Sequence, residues 1–425
     1  MYEHYENYDR YIPDVMLKKH RKHEEYLSDK YKGMTHQEIY QSKLGTVEDA
    51  IGLIDSGDCI VWSIHASEPR LFLRNLHRIA DRIDPKNPVE LWSCVARWGP
   101  EYPVHTDPSL KDKFHHQTFF YDPNFRKIHP SGMSSYFPIH LHNYGQELHR
   151  CKRPNVAVVC VSPMDEHGYC CVSCDLQREM ESFYSADKII YEVNPHIPHL
   201  PGDCALPVAM ADVIIESDLS LYELQDPPIR EAEKAVAGYA AEMVHDGDCI
   251  QLGFGGIPNA IGFELMNRHD LGIHTEQIGA SMARMIQQGV VTNRYKNLDK
   301  GWSVGAFIIA DNFTYEYLNN HPRVMMRRGR YTNDPLIIAQ QDNMVSINAA
   351  LQIDLTGQVA AEALGYIQWS GTGGAPTSPT GPTTPGAAGP CCARSPLPRR
   401  ARSAASPPSW TPGPLCLCPG TSQTW

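Results

Sequence analysis

The strongest constraint on the fold is an internal repeat whose two copies start about one domain length apart. Each copy is a helix, a GDCI turn, an apolar strand, a small-residue turn and a proline; the copies are TVEDAIGLIDSGDCIVWSIHASEP (residues 46–69) and AAEMVHDGDCIQLGFGGIPNA (residues 240–260). Gly57 matches Gly247, a spacing of 190 residues. Solenoid repeats recur after only about 20 to 50 residues. The spacing therefore indicates two similar domains.

Within each half, helix-spaced segments alternate with short apolar runs. The first half contains EPRLFLRNLHRIADRI, NVAVVCVS, KIIYEV and DVIIES, and the second contains IREAEKAVAGYAAEMV, DCIQLGF and SVGAFII. Such alternation predicts parallel sheets covered by helices. We therefore expect an α/β fold with two similar open-sheet domains.

Composition divides the chain into four segments. Residues 1–42, rich in tyrosine, histidine and charge, are an N-terminal lead, and residues 43–224 are the first α/β domain. Paired prolines in LYELQDPPIREAEK mark a boundary, so the second domain is expected over 225–374. Residues 375–425 hold twelve of the 33 prolines and no acidic residue, lysine, isoleucine or valine. We expect a disordered tail there and an incomplete second domain, because such a segment lacks core-forming side chains.

The net charge argues against polyanionic partners. It is −11 for the whole chain, and removing the four arginines of the tail leaves −15 on residues 1–374. An acidic protein repels phosphate groups, so nucleic acid and anionic membranes are not expected partners. No apolar stretch is long enough to span a bilayer, and the first residues resemble neither a signal nor a transit peptide. A small ligand and a cytoplasmic location are expected.

Cysteine usage gives weak support for a metal site. CCVSC at 170–174 contains a CxxC beside His167, but a zinc site needs a fourth well-spaced ligand. Most of the other cysteines before the tail lie singly in strand-like runs, where buried free thiols are common. We expect a reduced protein without a bound metal.

The first candidate ligand loop is QLGFGGIPNAIGFEL, residues 251–265. It follows a predicted strand, carries Gly253, Gly255 and Gly256, and opens a helix at Pro258. Glycines allow a ligand to approach the backbone, and the helix start offers free N–H groups to an anion. A tight strand-to-helix turn without any ligand explains the same residues equally well.

A carboxylate follows at the end of the next strand-like run, LGIHTEQIG. Glu276 reaches the carboxyl edge, where open parallel sheets place their sites, although a lone acid there is usually solvated or salt-bridged. A glycine loop with an acid about 20 residues later also matches the dinucleotide fingerprint. Pro258 departs from that fingerprint at its third glycine. A nicotinamide-dinucleotide-binding oxidoreductase is therefore an alternative.

A second glycine loop, SGTGG, carries Gly371, Gly373 and Gly374. Two such loops in one half suggest a long ligand held at two places. Asn333, ahead of Asp334 and Pro335, fits an ordinary turn. We also interpret VSPMDEHGYC, residues 161–170, as a polar turn after a buried strand rather than as a catalytic cluster.

Taken together, these motifs resemble the family I coenzyme A transferases, in the branch of 4-hydroxybutyrate, butyrate and acetate CoA-transferases that includes acetyl-CoA hydrolases. The resemblance covers about residues 38–374 and includes YQSKLGTVEDAIGLIDSGD, VSPMDEHGYC, EVNP, LGFGGIPNA, LGIHTE, TNDPLIIAQQDNMVSINAAL and DLTGQVAAEALG. It implies two similar α/β domains and an enzyme that moves CoA between a short acyl-CoA and a small carboxylic acid. Coenzyme A is then a substrate, and no permanent cofactor, ATP or metal is needed.

The resemblance also assigns roles to residues. The HTE motif makes Glu276 the nucleophile of a ping-pong reaction through glutamyl anhydride and glutamyl-CoA thioester intermediates. Asn333 helps hold the oxyanion, and the two glycine loops flank CoA. Three alternatives stay open: the chain is an acetyl-CoA hydrolase, it is the oxidoreductase described above, or it is a non-catalytic remnant that keeps the fold without turnover. The oligomeric state is also open, a homo-oligomer included.

The tail departs from the family at Ala375. Family members continue with DF, GA and glycine-rich motifs, and reading each codon from Ala375 one nucleotide early permits those motifs again. We interpret residues 375–425 as an out-of-frame translation, with a genuine low-complexity tail as the alternative. On either interpretation we expect the second domain to lack strands, which puts the activity of the 425-residue chain in doubt.

Overall fold

The computed structural model describes residues 29–373, apart from 178, 184–185, 225–228 and 357, together with 391–394. The α-helices are α1 His36–Lys43, α2 Val47–Gly52, α3 Arg70–Asn75, α4 Pro103–Thr106, α5 Pro123–Ile128, α6 Tyr144–Cys151, α7 Glu179–Phe183, α8 Glu231–Glu242, α9 Gly256–Glu264, α10 Ala280–Gln287, α11 Asn312–Leu318, α12 Gly329–Thr332 and α13 Pro335–Ile338. The strands are β1 Cys59–Trp62, β2 Val89–Ser93, β3 Phe114–Thr118, β4 Ser134–Tyr136, β5 Val156–Val161, β6 Tyr169–Cys171, β7 Lys188–Val193, β8 Ala205–Pro207, β9 Val213–Glu216, β10 Cys249–Leu252, β11 Gly272–Ile273, β12 Gln277–Ile278, β13 Ser303–Gly305, β14 Phe307–Ile308, β15 Val324–Met326, β16 Met344–Ala350, β17 Gln352–Ile353, β18 Val359–Ala360, β19 Ala363–Leu364, β20 Ile367–Gln368 and β21 Cys391–Arg394.

The first half is built on a seven-stranded parallel sheet. Its order is β4-β3-β2-β1-β5-β7-β9, with Ile60 of β1 paired to Leu91 on one side and Val156 on the other. Every residue of β5 is buried, as expected for a parallel strand covered on both faces. The α/β prediction is confirmed for this half.

The second half has a smaller main sheet, β11-β10-β16-β21, and two short parallel pairs, β12-β14 and β13-β15. The repeat occupies the same position in both halves, since β1 and β10 each follow a helix and pair with a parallel strand on either side. Gly57 and Gly247 both adopt a left-handed φ, of 82° and 86°. The next residues, Asp58 and Asp248, each accept a hydrogen bond from the backbone N–H three residues earlier. The GDCI repeat is therefore a structural turn that starts a central strand.

Part of the tail takes part in the second sheet. The backbone of β21 runs parallel to β16, with Cys391 opposite Ile347. Composition alone did not predict this strand. Strand pairing requires only backbone N–H and C=O groups, and residues 391–394 contain no proline to remove a donor. The rest of the tail, and the two prolines of the predicted domain boundary, lie outside the described residues.

The two halves share a continuous apolar core. One cluster of buried side chains extends from Ile39 to Ile347 and so includes both halves. A connecting segment, residues 174–177, runs between them: the N–H of Leu176 donates to the carbonyl of Ala306, and its own carbonyl accepts from Gly329. This segment brings first-half side chains against the carboxyl edge of the second half. None of the described helices has the length and apolar character that a bilayer crossing requires.

A glycine makes a second junction between the halves, and it yields a stability prediction. Gly202 has a φ of 130°, and a Cβ there would lie 2.0 Å from the carbonyl oxygen of Met326. Backbone hydrogen bonds on both sides of Gly202 hold the two segments together, so they cannot move apart to make room for a Cβ. The N–H of Asp203 donates to the carbonyl of Met326, and the N–H of Met326 donates to the carbonyl of Pro201. We expect Gly202→Ala to lower the free energy of unfolding by about 2 to 4 kcal/mol in urea titrations.

The matched control is Gly289→Ala. Gly289 also has a positive φ, of 76°, but open space where a Cβ would be. Only the conformational penalty of about 1 kcal/mol should appear there. Equal losses in the two variants would contradict the proposed steric contact between the halves.

Candidate functional site

Glu276 lies at the carboxyl edge of the second half, between β11 and β12. Its backbone is fixed by β14, because its carbonyl accepts hydrogen bonds from the N–H groups of Ala306 and Phe307 at 2.8 and 3.0 Å. The side chain is only partly exposed and faces a cavity. Burial raises the pKa of this carboxyl to about 7. Near neutral pH it is thus present in both the acid and carboxylate forms.

Two amide side chains hold the carboxylate of Glu276. Asn333 donates from Nδ2 to Oε2 at 2.9 Å, and Gln177 donates from Nε2 to Oε1 at 3.4 Å. The hydroxyl of Thr332 donates to Oδ1 of Asn333 at 2.9 Å, which turns the amide nitrogen toward Glu276. The bond from Asn333 lowers the pKa of Glu276 and partly offsets burial. The uncharged amides of Asn333 and Gln177 thus stabilise the carboxylate of Glu276 without cancelling its charge.

The histidine of the HTE motif holds Thr332, which in turn orients Asn333. His274 is buried, and its Nε2–H donates to the carbonyl of Thr332 at 3.1 Å. Burial lowers the pKa of His274 to about 4, so the ring is neutral at physiological pH. The neutral ring of His274 adds no charge to the site. It positions Thr332, the residue whose hydroxyl orients Asn333.

A cavity of about 170 Å³ opens to solvent beside Glu276. Its wall includes residues of both halves: His65, Arg97 and Phe119 from the first, and Gly253, Phe307 and Gly371 from the second. Typical sites for drug-sized ligands occupy about 300 to 1,000 Å³. The cavity therefore accommodates a short acyl group, while a ligand as large as CoA must extend through the opening.

Of the three glycines in the first glycine loop, only Gly253 lines this cavity. Gly253 is in the wall, and a Cβ there would lie 2.8 Å from Oδ1 of Asn348. Its N–H already donates to the carbonyl of Ile347. Gly255 has a φ of 123°, which favours glycine, and lines a small neighbouring cavity. Gly256 begins helix α9.

The second glycine loop crosses to the first half. Gly371 and Gly373 are both in the cavity wall. A Cβ on Gly371 would lie 2.1 Å from the carbonyl oxygen of Phe119, so only glycine permits this close approach. Gly374 lies outside the described residues. The structure thus brings Glu276, Gly253, Gly371 and Gly373 to one cavity, with Asn333 behind Glu276.

Other wall residues were not singled out from the sequence. Gln177 carries no local signal, because it reaches Glu276 only through the connecting segment. His65 had a signal in the repeat: it lies 190 positions before Gly255 and, like that glycine, has a positive φ, of 59°. Its buried ring stacks on Phe307 with centroids 4.3 Å apart. Where the second copy of the repeat has Gly255, the first copy therefore places a bulky ring in the cavity wall.

The polar turn predicted for VSPMDEHGYC is confirmed. Asp165 accepts hydrogen bonds from the N–H groups of His167 and Tyr169, and His167 is exposed. In the part of the chain that the structure describes, no group of three or more histidine, cysteine or acidic side chains is arranged to hold a metal ion.

Two family models match the chain. The model described as acetyl-CoA hydrolase/transferase N-terminal domain matches residues 28–221, and the one described as acetyl-CoA hydrolase/transferase C-terminal domain matches residues 311–389. Among similar proteins, the succinyl-CoA:cyclohexane-1-carboxylate CoA transferase of Geobacter metallireducens is 36% identical over 80% of this chain and 76% of its own length. The 4-hydroxybutyrate coenzyme A transferase of Clostridium kluyveri is 34% identical over 80% of this chain and 78% of its own length.

Solved structures agree with these matches. RipA from Yersinia pestis has 34% identity and a TM-score of 0.74, over 79% of this chain and 78% of that chain. A 4-hydroxybutyrate CoA-transferase from Porphyromonas gingivalis has 28% identity and a TM-score of 0.66, over 76% of this chain and 77% of that chain.

Proposed function

Because the chain belongs to the acetyl-CoA hydrolase/transferase family, we propose that it moves CoA between a short acyl-CoA and a small carboxylic acid with Glu276 as the nucleophile. The observation that carries this proposal is the carboxylate of Glu276, held by two amides and facing a cavity of acyl-group size. Coenzyme A enters as a substrate, without a permanent cofactor. A cytoplasmic location and a homo-oligomer belong to the same proposal.

In the first half-reaction, a carboxylate oxygen of Glu276 attacks the thioester carbonyl. The C–S bond breaks, CoA leaves as the thiolate, and an acyl-glutamyl anhydride forms. The thiolate then attacks the glutamyl carbonyl, which releases the first carboxylic acid and leaves a glutamyl-CoA thioester. The acceptor carboxylate reverses these steps and departs as the new acyl-CoA. One thioester replaces another, so the reaction needs no outside energy source.

Asn333 has a specific task in the steps at the glutamyl carbonyl. There the negative charge develops on the side-chain oxygen of Glu276 that does not bear the departing group. The Nδ2 of Asn333 already lies 2.9 Å from Oε2, within the range for an oxyanion donor. The N–H of Gly253 is engaged with Ile347, so this glycine would supply space rather than a donor.

The raised pKa of Glu276 predicts how the rate depends on pH. Only the ionised carboxyl attacks, and burial raises its pKa to about 7. We expect kcat/KM for acyl-CoA to rise about tenfold per pH unit below neutrality and to level off above about pH 7. Replacing Asn333 with alanine should move the midpoint upward, because its bond favours the ionised form. A rate that is constant across neutral pH would refute this assignment.

Hydrolysis is a second candidate, since Glu276 is partly exposed and water could reach the glutamyl intermediates. Measuring thioester loss with and without an added carboxylic acid separates the two activities. A transferase depends on the acceptor, and a hydrolase does not. The oxidoreductase alternative has no counterpart in the relatives named above.

We also propose that residues 375–425 are an out-of-frame translation. In support, reading the codons one nucleotide early permits the family motifs again, and the tail sequence contributes only a four-residue strand to the described part of the second sheet. The match of the C-terminal family model in the present frame ends at residue 389. Resequencing the locus in genome and transcript tests this. An uninterrupted frame through codon 375 would reject it.

A further inference from the structure

Arg97 supplies a positive charge to the cavity that contains Glu276. It follows the first-half strand β2 and lies in the cavity wall. Its guanidinium carbon is 4.8 Å from the ring centre of Phe254 and 5.5 Å from that of Tyr222. Aromatic rings attract a cation but leave its hydrogen-bond donors unused.

No carboxylate of the described residues forms an ion pair with Arg97, and its buried Nε has no hydrogen-bond partner among them. Two acids lie near it. Glu68 accepts from the backbone N–H of Arg97, and burial raises the pKa of Glu68 to about 8, so it is largely protonated at neutral pH. Asp122 directs its oxygens to backbone N–H groups at the start of α5 and to that of Ala96. Burial raises the pKa of Asp122, and the nearby charge of Arg97 partly offsets this effect without forming an ion pair.

The cavity that Arg97 and Glu276 both line favours an occupant with an apolar middle. Phe119, Phe120 and Phe307 line the same cavity. Glu276 accepts hydrogen bonds from Asn333 and Gln177, and among the described residues no ion pair or hydrogen bond joins it to Arg97. An occupant would therefore have a reacting carboxyl group at one end, methylene groups along the phenylalanines, and an anion at the other end.

We propose that Arg97 binds the second carboxylate of a short dicarboxylic substrate of the succinyl class. This inference rests on the proposed function and deepens it by naming the substrate. A guanidinium binds a carboxylate through two parallel hydrogen bonds, and a partly buried cation gains most from an anionic partner. A phosphate of CoA presents the same anionic chemistry, so the experiment separates these two sources.

The first test is binding to the full chain, measured by calorimetry, which does not depend on turnover. Succinate is compared with succinamate, whose second carboxylate is replaced by a neutral amide. We expect the unmodified protein to prefer succinate by about 10- to 100-fold, the usual range for a hydrogen bond to a charged group. In Arg97→Gln the preference should disappear, and in Arg97→Lys it should partly return.

The control is Arg78→Gln, which removes an exposed arginine that pairs with Glu48 and does not line the cavity. It should retain the preference for succinate. An unchanged preference in Arg97→Gln, or no preference in the unmodified protein, would overturn the proposal. If Arg97→Gln does not fold, Arg97→Lys decides, because a lysine cannot reproduce the two parallel bonds and should weaken the preference severalfold.

The second test is turnover with succinyl-CoA and butyryl-CoA, which share the whole CoA moiety. We expect Arg97→Gln to reduce kcat/KM for succinyl-CoA by about 10- to 100-fold and to leave butyryl-CoA nearly unchanged. Equal losses for both esters would assign Arg97 to a CoA phosphate and reject the dicarboxylate. Absence of turnover with either ester in the unmodified protein would count against the proposed function, while the binding preference would still decide the role of Arg97.

Discussion

Replacing Glu276 with glutamine is expected to reduce CoA transfer by about 10⁴-fold or more, as loss of a covalent nucleophile typically does. Glutamine retains the size of the side chain and one acceptor oxygen, so the bond from Asn333 can persist. Its amide nitrogen cannot accept the bond from Gln177, and the attacking anion is lost. The measurement is the initial rate of acyl-CoA formation from a donor thioester and a carboxylic acid. It is made in parallel on the 425-residue chain and on a chain with the frame restored from Ala375.

Chemical trapping identifies the intermediate directly. Incubation with acyl-CoA followed by hydroxylamine should convert Glu276 to a hydroxamate, and borohydride should reduce its thioester; mass spectrometry locates the modified residue. The matched control is Glu264→Gln, an exposed carboxylate at the end of α9, which should keep both the rate and the label. A label at another residue, or an unreduced rate in Glu276→Gln, would eliminate the proposed nucleophile.

Replacing Asn333 with alanine is expected to reduce kcat by about 10²- to 10³-fold, the usual loss for one oxyanion donor. The reason is the 2.9 Å contact with Oε2 of Glu276, the oxygen that takes the charge when the glutamyl carbonyl is attacked. Steady-state kinetics should show the loss in kcat rather than in KM. This distinguishes transition-state stabilisation from substrate binding.

Gln177 provides the comparison for Asn333. Its contact with Glu276 is longer, at 3.4 Å, so Gln177→Ala should have a smaller effect on kcat. Thr332→Val should fall between the two, because it removes the hydroxyl that orients the amide of Asn333. If Asn333→Ala changed only KM, or if Gln177→Ala were the more damaging variant, the assigned role of Asn333 would be wrong.

The sequence predicted the fold class through patterns that local physics enforces. A strand covered on both faces must be apolar throughout, as β5 is, and a glycine must stand where the turn before β1 and β10 takes a positive φ. The tail shows the limit of such patterns. Composition predicted no packing there, yet the backbone of β21 pairs with β16, because hydrogen bonds in a parallel ladder are largely indifferent to side-chain identity.

By itself, the sequence determined two repeated α/β halves and a carboxylate at a strand end, since both follow from the order of apolar, glycine and acidic residues along one segment. Only the tertiary structure decided what surrounds that carboxylate. Gln177 and Asn333 are separated from Glu276 by 99 and 57 residues, and Arg97 comes from the other half. Their meeting depends on how the connecting segment and the glycine loop of Gly371 pack between the halves, and no local pattern encodes such contacts.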